Sequence, residues 1–591
     1  METREAVLPN EPVKSQRMRS MGVHAGVCLL LAVLSLAVFL QIRYHDAVSY
    51  DDPIITENRQ IQQGLSFASV VRAFTDVPDN MPYWVPVVIL SHMADFQLFG
   101  DNFGCHHLTS LLFHVLSGIT LFLALSLTTG RSFPAGIAAM LFVIHPLNVE
   151  PVAWLATRNS VLAVFFGLLA VGAYLYYAHG PSWPRYATVL LLFVLALASK
   201  SEIAPLIAVF CLLDFWPLER IGAGGVPVRR LALEKIPFLA TVGCALLAGR
   251  LLGAGAGSRP PLPGPGEWLV KTASSYLTAI GRLFRPVDLT LIRPAPSASE
   301  SLWPAVAGVI LLAVVTVVVI RARRSRPYLL TGWFWFVFCL APVAVMVAGS
   351  GRVLADRHAY LPAIGLFVMA GWIVADLAQR FRRFRPAVLC VTVPAIIALA
   401  LVSHAHVRHF RDSETLYRHA AALHPGNIQA VTNLADTLLE KGRIDEAIAF
   451  YRQALSMDPE NALVHNNLGA AFLKAGDRQR AAAGFRQALK YDPGHPMAGN
   501  NLGNLLVEMG RTDEAIACFE KTLTPDNPFL YKAHNNIATA FARRGEFDKA
   551  VFHLRRALAI QPDYVTAREN LARVLMMQRR GAAATGGGGD R

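Results

Sequence analysis

The feature that most constrains the fold is a series of apolar runs that fills the chain up to residue 404. A helix rises 1.5 Å per residue, so about 20 apolar residues cross the hydrocarbon core of a bilayer. We count eleven such runs, centred near Leu31, Phe113, Met140, Phe166, Phe193, Val209, Cys244, Leu311, Phe336, Phe367 and Ile396. The region 23–404 is therefore predicted to be a multi-pass helical membrane domain.

Basic residues cluster in alternate loops between the runs, which indicates an orientation because cytoplasmic loops are enriched in Lys and Arg. With the N-terminus inside, the basic groups in 220–235, 321–326 and 380–385 all fall on the cytoplasmic side. An odd number of spans then places residues 1–22 in the cytoplasm and everything after residue 404 outside it.

The net charge of +14 does not indicate a nucleic-acid partner, because the basic residues gather in these short loop clusters. The seven cysteines are scattered, mostly within apolar runs, and no Cys or His pairing at metal-ligand spacing is evident. We therefore expect neither a disulfide framework nor a metal site.

After residue 404 the sequence repeats itself with a period of 34 residues. Each unit has a turn glycine, a closing proline and an asparagine before an apolar residue; the asparagines are Asn433, Asn467, Asn501, Asn536 and Asn570. This is the signature of the tetratricopeptide repeat (TPR), a helical hairpin. We predict a connecting helix at 405–425, four repeats over 426–562, a capping helix at 563–580 and a disordered tail at 581–591.

Four polar clusters fall in loops that we place on the outer side of the membrane. Their candidate residues are Asp51 and Asp52; His145, Glu150 and Arg158; Lys200 and Glu202; and Arg352, Asp356, Arg357, His358 and Tyr360. Such carboxylates can accept a proton, and Lys or Arg can stabilise the charge of a phosphate. The alternatives are that the acidic loop is solvated, and that Lys200–Glu202 and Asp356–Arg357 are ion pairs that fix helix ends.

Two further segments, 81–99 and 267–284, are predicted to be amphipathic helices at the outer interface. The first contains His92, which we add to the candidates together with His145. A cavity bounded by such helices could admit a lipid-linked substrate from the bilayer.

The chain resembles the transmembrane-and-TPR family of O-mannosyltransferases and its bacterial relatives, within the GT-C glycosyltransferase superfamily. The resemblance extends from about residue 25 to residue 577. It is carried by Asp51-Asp52-Pro53, the segment 84–93, His107 and His114, the segment 145–154, Ser199-Lys200, the segment 213–218, and 356–362.

This resemblance implies a GT-C-like membrane fold in which the first outer loop supplies the catalytic acid. Asp51 or Asp52 would deprotonate a Ser or Thr of a protein acceptor held by the TPR groove. Lys200, Arg352 and Arg357 would bind the phosphate of a polyprenyl-phosphate-linked sugar, with mannose as one candidate. Neither a cofactor nor a metal is expected, although a divalent metal is not excluded. The bacterial-like motifs imply a bacterial inner membrane with the C-terminal part in the periplasm, and a eukaryotic member would have that part in the lumen of the endoplasmic reticulum.

The chain departs from the family pattern at three places. Asn159 and Ser160 follow Arg158 where the bacterial members have Lys-Asp, Ser201 stands where a Pro is usual, and Val85 where a His is common. Two other functions are therefore retained as alternatives. One is a non-catalytic membrane scaffold that assembles partners through its TPRs, and the other is a carrier or polymerase of lipid-linked saccharides.

Overall fold

A computed structural model describes residues 13–77, 81, 83–221, 225–252, 264–294, 303–350, 353–380, 385–525 and 527–586. Over these residues every regular element is a helix, in agreement with the predicted all-α class. The chain divides into two units, Met1–His419 and Ala420–Arg591. The first unit thus extends beyond residue 404, where we placed the end of the membrane domain.

The first unit consists of helices α1 to α18 and most of α19, joined by loops and 3-10 turns. Their bounds are α1 Val13–Phe39, α2 Pro53–Thr56, α3 Arg59–Gln62, α4 Phe67–Thr75, α5 Pro86–Phe99, α6 Phe103–Thr129, α7 Ser132–Ile144, α8 Val149–Ala153, α9 Arg158–His179, α10 Trp183–Leu197, α11 Leu206–Phe215, α12 Val228–Leu233, α13 Ile236–Leu251, α14 Pro265–Phe284, α15 Trp303–Ala322, α16 Pro327–Ser350, α17 Ala363–Arg380, α18 Arg385–Val407 and α19 Ser413–Leu423.

Eight helices in the described part of the chain are long and apolar enough to cross a membrane. They are Met21–Tyr44, Phe103–Thr129, Leu155–His179, Val228–Leu251, Trp303–Ala322, Pro327–Gly349, Ala363–Arg380 and Pro386–Phe410. Helices α7 and α8 add a ninth crossing if this pair, bent by 54°, is one span. Helices α10 and α11 lie at two more predicted centres but are shorter, so the number eleven stays a prediction.

Several of these helices expose apolar surface. Only 6% of the apolar window of Pro386–Phe410 and 17% of that of Trp303–Ala322 are buried inside the protein. Such large apolar faces are unfavourable in water and are matched by lipid chains. The first unit is therefore a multi-pass membrane domain.

The loops of the first unit gather at two ends. Lys200 and Pro362 line one pocket, whereas Trp216 and Asp376 line another. The 14 residues from Pro362 to Asp376 run along α17 and rise about 21 Å, which separates the two pockets by most of a bilayer core. This grouping agrees with the predicted alternation of outer and inner loops; which end faces the cytoplasm is a prediction from charge.

Helix α5 differs from the interfacial helix predicted for 81–99. Its polar residues His92 and Asp95 are 0% and 3% exposed, so they face the interior rather than water. The expectation of a solvated polar face is wrong, because Asp95 has an ion-pair partner, Arg158, inside the unit. Helix α14, in contrast, buries one face through Ala273 and Tyr276, as the amphipathic pattern of 267–284 predicts.

The second unit is made of helices that pack pairwise, followed by a last helix that packs on the final pair. Their bounds are α20 Ile428–Glu440, α21 Ile444–Met457, α22 Ala462–Lys474, α23 Arg478–Tyr491, α24 Pro496–Glu508, α25 Thr512–Glu520, α26 Leu530–Arg543, α27 Phe547–Ile560 and α28 Val565–Gly586. The four pairs coincide with the four predicted repeats. Residues 581–586 continue α28 where we predicted a disordered tail, and 587–591 lie outside the described residues.

The repeated residues of this unit have repeated roles. The turn glycines Gly442, Gly476, Gly510 and Gly545 have φ between 78° and 84°, a left-handed conformation that only glycine adopts at low cost. The repeated asparagines join neighbouring hairpins: the Asn467 amide donates to Asp436 and the Asn570 amide to Asn535, at 3.0 and 2.9 Å. Equivalent asparagines thus join neighbouring repeats through hydrogen bonds.

Candidate functional site

The two predicted catalytic acids lie in a short turn before α2 and have different environments. Asp52 is fully buried, and its carboxylate accepts the backbone N–H groups of Val48 at 2.7 Å and Ala156 at 2.8 Å. Burial raises the pKa of Asp52 to about 7, against the lowering effect of these two hydrogen bonds. Asp51 is partly exposed. Asp52 therefore ties the loop to the segment before α9, while Asp51 is accessible from outside.

Glu150 and Arg357 form an ion pair at the same end of the unit. The Arg357 guanidinium donates to Glu150 Oε1 at 2.5 Å, and the backbone N–H of Asp356 donates to Glu150 Oε2 at 3.1 Å. Glu150 is buried, whereas 27% of the Arg357 side chain is exposed. Burial lowers the pKa of Arg357, but Glu150, Glu202 and Asp51 outweigh it, so the pKa is raised and the charge is retained. Arg357 thus presents a fixed positive charge.

An ion pair between Asp356 and Arg357 was one of the alternatives derived from the sequence, but Asp356 does not pair with Arg357. Its carboxylate instead accepts hydrogen bonds from Arg282 at 3.0 Å and from Arg293 at 2.9 Å. Two arginines from the segment 282–293 therefore hold the turn before α17, and Asp356 has a positioning role. Sequence reasoning missed both arginines, because Arg282 fell within the predicted interfacial helix 267–284 and Arg293 lay in none of the four polar clusters.

Lys200 and Glu202 form the ion pair that the second alternative predicted, at 2.8 Å. The Lys200 ammonium also donates to the Ser160 hydroxyl at 3.1 Å. Ser160 and Glu202 belong to two of the three stretches in which this chain departs from the family pattern. Because both departures meet at one lysine, we interpret them as a joint change in the surroundings of Lys200.

These cations line a single pocket that is open to the surface of the unit. Its polar lining consists of Ser160, Lys200, Glu202, Arg357 and His358. The remaining wall is largely apolar, with Ala163, Val164, Ile203, Val343 and Leu361. The pocket thus combines one ammonium, one guanidinium and one carboxylate with a surface suited to a hydrocarbon chain.

Aromatic contacts connect this pocket to the acidic loop. The Arg357 guanidinium lies 5.3 Å from the centre of the Trp154 ring, and the Tyr50 ring lies 6.0 Å from the same ring. Tyr50 directly precedes Asp51 in the chain. Trp154 was not among the candidate residues, although the motif that contains it was; it bridges the two halves of the site.

Two candidates of the fourth cluster lie beside Arg357. Burial lowers the pKa of His358 well below its usual value, with Arg357 and Lys200 as further causes, so this imidazole is neutral. Tyr360 is almost fully buried and shares a hydrogen bond of 2.7 Å with His114 in the core. His358 can contact a substrate, whereas the hydroxyl of Tyr360 faces the helix interior.

Arg158 is not in the pocket, which contradicts its prediction as a substrate-binding residue. It is fully buried, and its guanidinium binds Asp95 at 2.5 Å, Ser110 at 3.1 Å and the backbone carbonyl of His106. A charge inside a membrane domain requires such partners, so Arg158 joins α9 to α5 and α6.

The two additional histidines are also internal. His145 Nε2 lies 3.0 Å from the Leu283 carbonyl, and its Nδ1 accepts the Leu147 N–H at 3.2 Å. His92 is fully buried beside Asp95. The candidate Arg352 lies outside the described residues.

The C-terminal repeats match known family models. A model described as TPR repeat matches residues 435–476, and models described as tetratricopeptide repeat match 416–449, 462–495 and 496–563. The second unit is a TPR solenoid.

Two curated proteins are similar to parts of the chain. Protein O-mannosyl-transferase TMTC1 of Homo sapiens is 24% identical over 417 residues, which is 61% of this chain and 46% of that protein. Protein O-mannosyl-transferase Tmtc2 of Drosophila melanogaster is 29% identical over 126 residues, 21% of this chain and 13% of that protein. The chain thus spans less than half the length of these relatives. Their weak similarity supports the predicted family resemblance.

Among solved structures, the type IV pilus biogenesis factor PilW is 32% identical and covers 25% of this chain and 69% of that chain, with a TM-score of 0.25. A MamA protein is 25% identical and covers 25% of this chain and 80% of that chain, with a TM-score of 0.23. With TM-scores this low, the two similarities add nothing to the assignment of the repeats.

Proposed function

We propose that this protein is a membrane glycosyltransferase that moves a sugar from a polyprenyl-phosphate-linked donor to a Ser or Thr of a protein bound by its TPR unit. The observation that carries the proposal is the pocket that Lys200 and Arg357 share with an apolar wall. A lipid phosphate has this combination of charge and hydrocarbon. The similarity to two protein O-mannosyl-transferases points to the same class of reaction.

In the proposed reaction the acceptor oxygen attacks the anomeric carbon as the bond from that carbon to the phosphate oxygen breaks. The acceptor proton passes to a carboxylate, and the leaving phosphate carries the negative charge away. Lys200 and Arg357 stabilise that charge as it develops. A single displacement of this kind inverts the anomeric configuration and needs no covalent enzyme intermediate.

We assign the proton-accepting role to Asp51 rather than Asp52. Asp52 is fully buried and both of its oxygens accept backbone N–H groups, so an acceptor hydroxyl has no open access to its carboxylate. Asp51 is partly exposed, and its charge acts on Arg357. Asp52 then positions the loop, and its loss affects activity through the place of Asp51.

The test is comparative glycoproteomics of outward-facing proteins from strains that carry the wild-type gene, a deletion, Asp51→Asn or Lys200→Gln. We expect the same Ser- or Thr-linked glycopeptides to vanish in the deletion and in both variants. Glu57→Gln is a matched control, because it changes an acidic residue a few positions from Asp51 in the same loop.

Unchanged glycopeptides in the deletion strain would reject the transferase. If TPR partners were lost in the deletion while glycopeptides stayed intact, the scaffold function would replace it. A loss of extracellular polysaccharide with no change in protein glycosylation would instead indicate the carrier or polymerase.

A further inference from the structure

Three histidines meet near the C-terminal end of the first unit, away from the pocket described above. His406 belongs to α18, His409 to the 3-10 turn Arg408–Phe410, and His419 to α19. One ring nitrogen from each residue lies within 4.8 Å of the other two. His406 is buried, while His409 and His419 are partly exposed, so the group is accessible from the surface.

The hydrogen bond of His419 resembles that of a metal ligand. Its Nε2 lies 3.0 Å from the backbone carbonyl of Leu289. A carbonyl oxygen only accepts, so Nε2 carries the proton, and Nδ1 is the nitrogen through which His419 would bind a metal. Metal-ligating histidines commonly donate their second ring N–H to a carbonyl in this way, which fixes the tautomer and the ring orientation.

A second group of possible ligands, His92, Asp95 and His106, lacks these properties. The Asp95 carboxylate is already neutralised by Arg158 at 2.5 Å, and that guanidinium would repel a bound cation. Besides the other two histidines, the charge that acts on His406 is that of Arg293, which shares the Asp356 carboxylate with Arg282 and does not pair with a proposed ligand.

We propose that His406, His409 and His419 bind one divalent transition-metal ion such as Zn²⁺. Imidazole nitrogens suit Zn²⁺, and three protein ligands leave the fourth tetrahedral position for water. Zn–N bonds of about 2.0 Å bring ligand nitrogens to about 3.3 Å from one another. The His409 and His419 rings are stacked with centroids 3.5 Å apart and planes 8° from parallel, so both side chains must rotate before their lone pairs meet at one ion.

The site joins the end of the last membrane helix to the next helix in the chain. Because the ligands come from different elements, a bound ion stabilises the folded arrangement over any in which α19 separates from α18. The site is independent of the proposed transferase function, since none of its residues lines the pocket.

The experiment uses the full chain, purified in detergent through a peptide tag without histidines, mixed with one equivalent of ZnCl₂ and desalted. We expect the wild type to retain about one zinc per chain and to show the visible bands of tetrahedral Co²⁺ when cobalt replaces zinc. His409→Gln/His419→Gln should lose the retained metal and the cobalt bands.

His534→Gln/His553→Gln is the matched control, since the Nδ1 atoms of these two residues lie 3.0 Å apart in the other unit. Zinc should raise the apparent melting temperature of the wild type and of this control, but not of the His409 and His419 variant. Wild-type protein that retains no zinc would overturn the proposal. So would a His409 and His419 variant that retains as much zinc as the wild type, which would indicate an adventitious ion only.

Discussion

Asp51 and Asp52 are chemically identical neighbours whose surroundings divide their tasks. Sequence reasoning named both as catalytic, because two adjacent acids give no sign of which one is buried. The backbone N–H groups that bind Asp52 come from Val48 and Ala156, and the second is 104 positions away in the chain. Such a contact exists only once α9 has packed beside the loop, so it could not be predicted from the local sequence.

The raised pKa of Asp52 has a consequence for stability. Because the folded-state pKa of about 7 exceeds the ordinary value of 3.8, the folded protein binds an extra proton between these values. The free energy of unfolding therefore falls as pH rises from about 4 to about 7, by at most about 4 kcal/mol from this group. We expect the apparent melting temperature to drop from pH 5 to pH 8 by less in Asp52→Asn than in the wild type.

Glu57→Gln is the control for this measurement, because Glu57 is exposed in the same loop and is not among the groups that shift the pKa of Asp52. Its melting temperature should drop from pH 5 to pH 8 as much as that of the wild type. An equal drop in the wild type and in Asp52→Asn would show that Asp52 does not take up the proton.

Lys200 is the residue whose replacement tests phosphate binding directly. A hydrogen bond to a charged group contributes about 1.5–3 kcal/mol, so Lys200→Gln should lower kcat/KM for the lipid-linked donor by about 10- to 100-fold. The control is Lys271→Gln, which removes a similar lysine–carboxylate pair at 2.7 Å, with Glu267 in α14. A donor assay on purified protein measures both. Equal activities of the two variants would remove Lys200 from the site.

At the scale of elements, a buried network of charges holds α9, α11 and the turn between α12 and α13 together. Arg220 binds Asp214 and Glu234, each at 2.9 Å, and Lys235 binds Asp214 at 2.6 Å. The Tyr174 hydroxyl donates to Asp214 at 2.7 Å. Two positive and two negative side chains thus compensate one another away from water, which such burial requires.

Removal of one member of this network should be strongly destabilising. Arg220→Met leaves Asp214 and Glu234 buried without their shared partner, at a cost of about 3–5 kcal/mol. Arg230→Met is the matched control, since Arg230 also approaches Glu234, at 3.7 Å, but its side chain is 60% exposed. We expect the control to lose less than about 1 kcal/mol. Thermal unfolding in detergent distinguishes the two, and similar losses would contradict the role of Arg220.

A helix could be predicted from the sequence where one local property, hydropathy or repeat period, determined its position. Apolar runs gave the long spanning helices, and the 34-residue period gave the hairpins of the second unit. Helix α5 was misread because its His and Asp looked like a polar face toward water. Only the position of Arg158 on a distant helix makes their burial favourable. The same ion pair, between Asp95 and Arg158, explains why Arg158 is buried away from the pocket.

At the scale of the whole molecule, the orientation in the membrane is a prediction that labelling can test. Single cysteines at Ser66 and Ser325, both exposed, would report the predicted outer and inner ends in a chain whose seven native cysteines are replaced. In intact cells or sealed microsomes, a membrane-impermeant maleimide should label only one of the two positions. After permeabilisation it should label both. Labelling of both from one side would contradict the arrangement of spans.

The sequence predicted both units because helical period, hydropathy and repeats are local properties. It also predicted that four loops would share one end, since alternation of spans determines sides. It could not predict which charges would meet there. Glu150 pairs with Arg357, 207 positions away, and Asp356 pairs with Arg282 and Arg293. Such pairings depend on how loops fold over helix ends, for which a sequence has no periodic signal.

The pairing of each pocket cation with a carboxylate makes the site behave like an ion exchanger. Lys200 and Arg357 are balanced by Glu202 and Glu150, so before substrate binds these four groups sum to zero charge. In the proposed reaction the donor phosphate competes with Glu202, the more exposed of the two counter-ions, for Lys200. Small anions that coordinate weakly gain too little to make that exchange. The pocket would therefore stay closed to the chloride and inorganic salts around it and be loaded by a ligand whose hydrocarbon chain adds its own affinity.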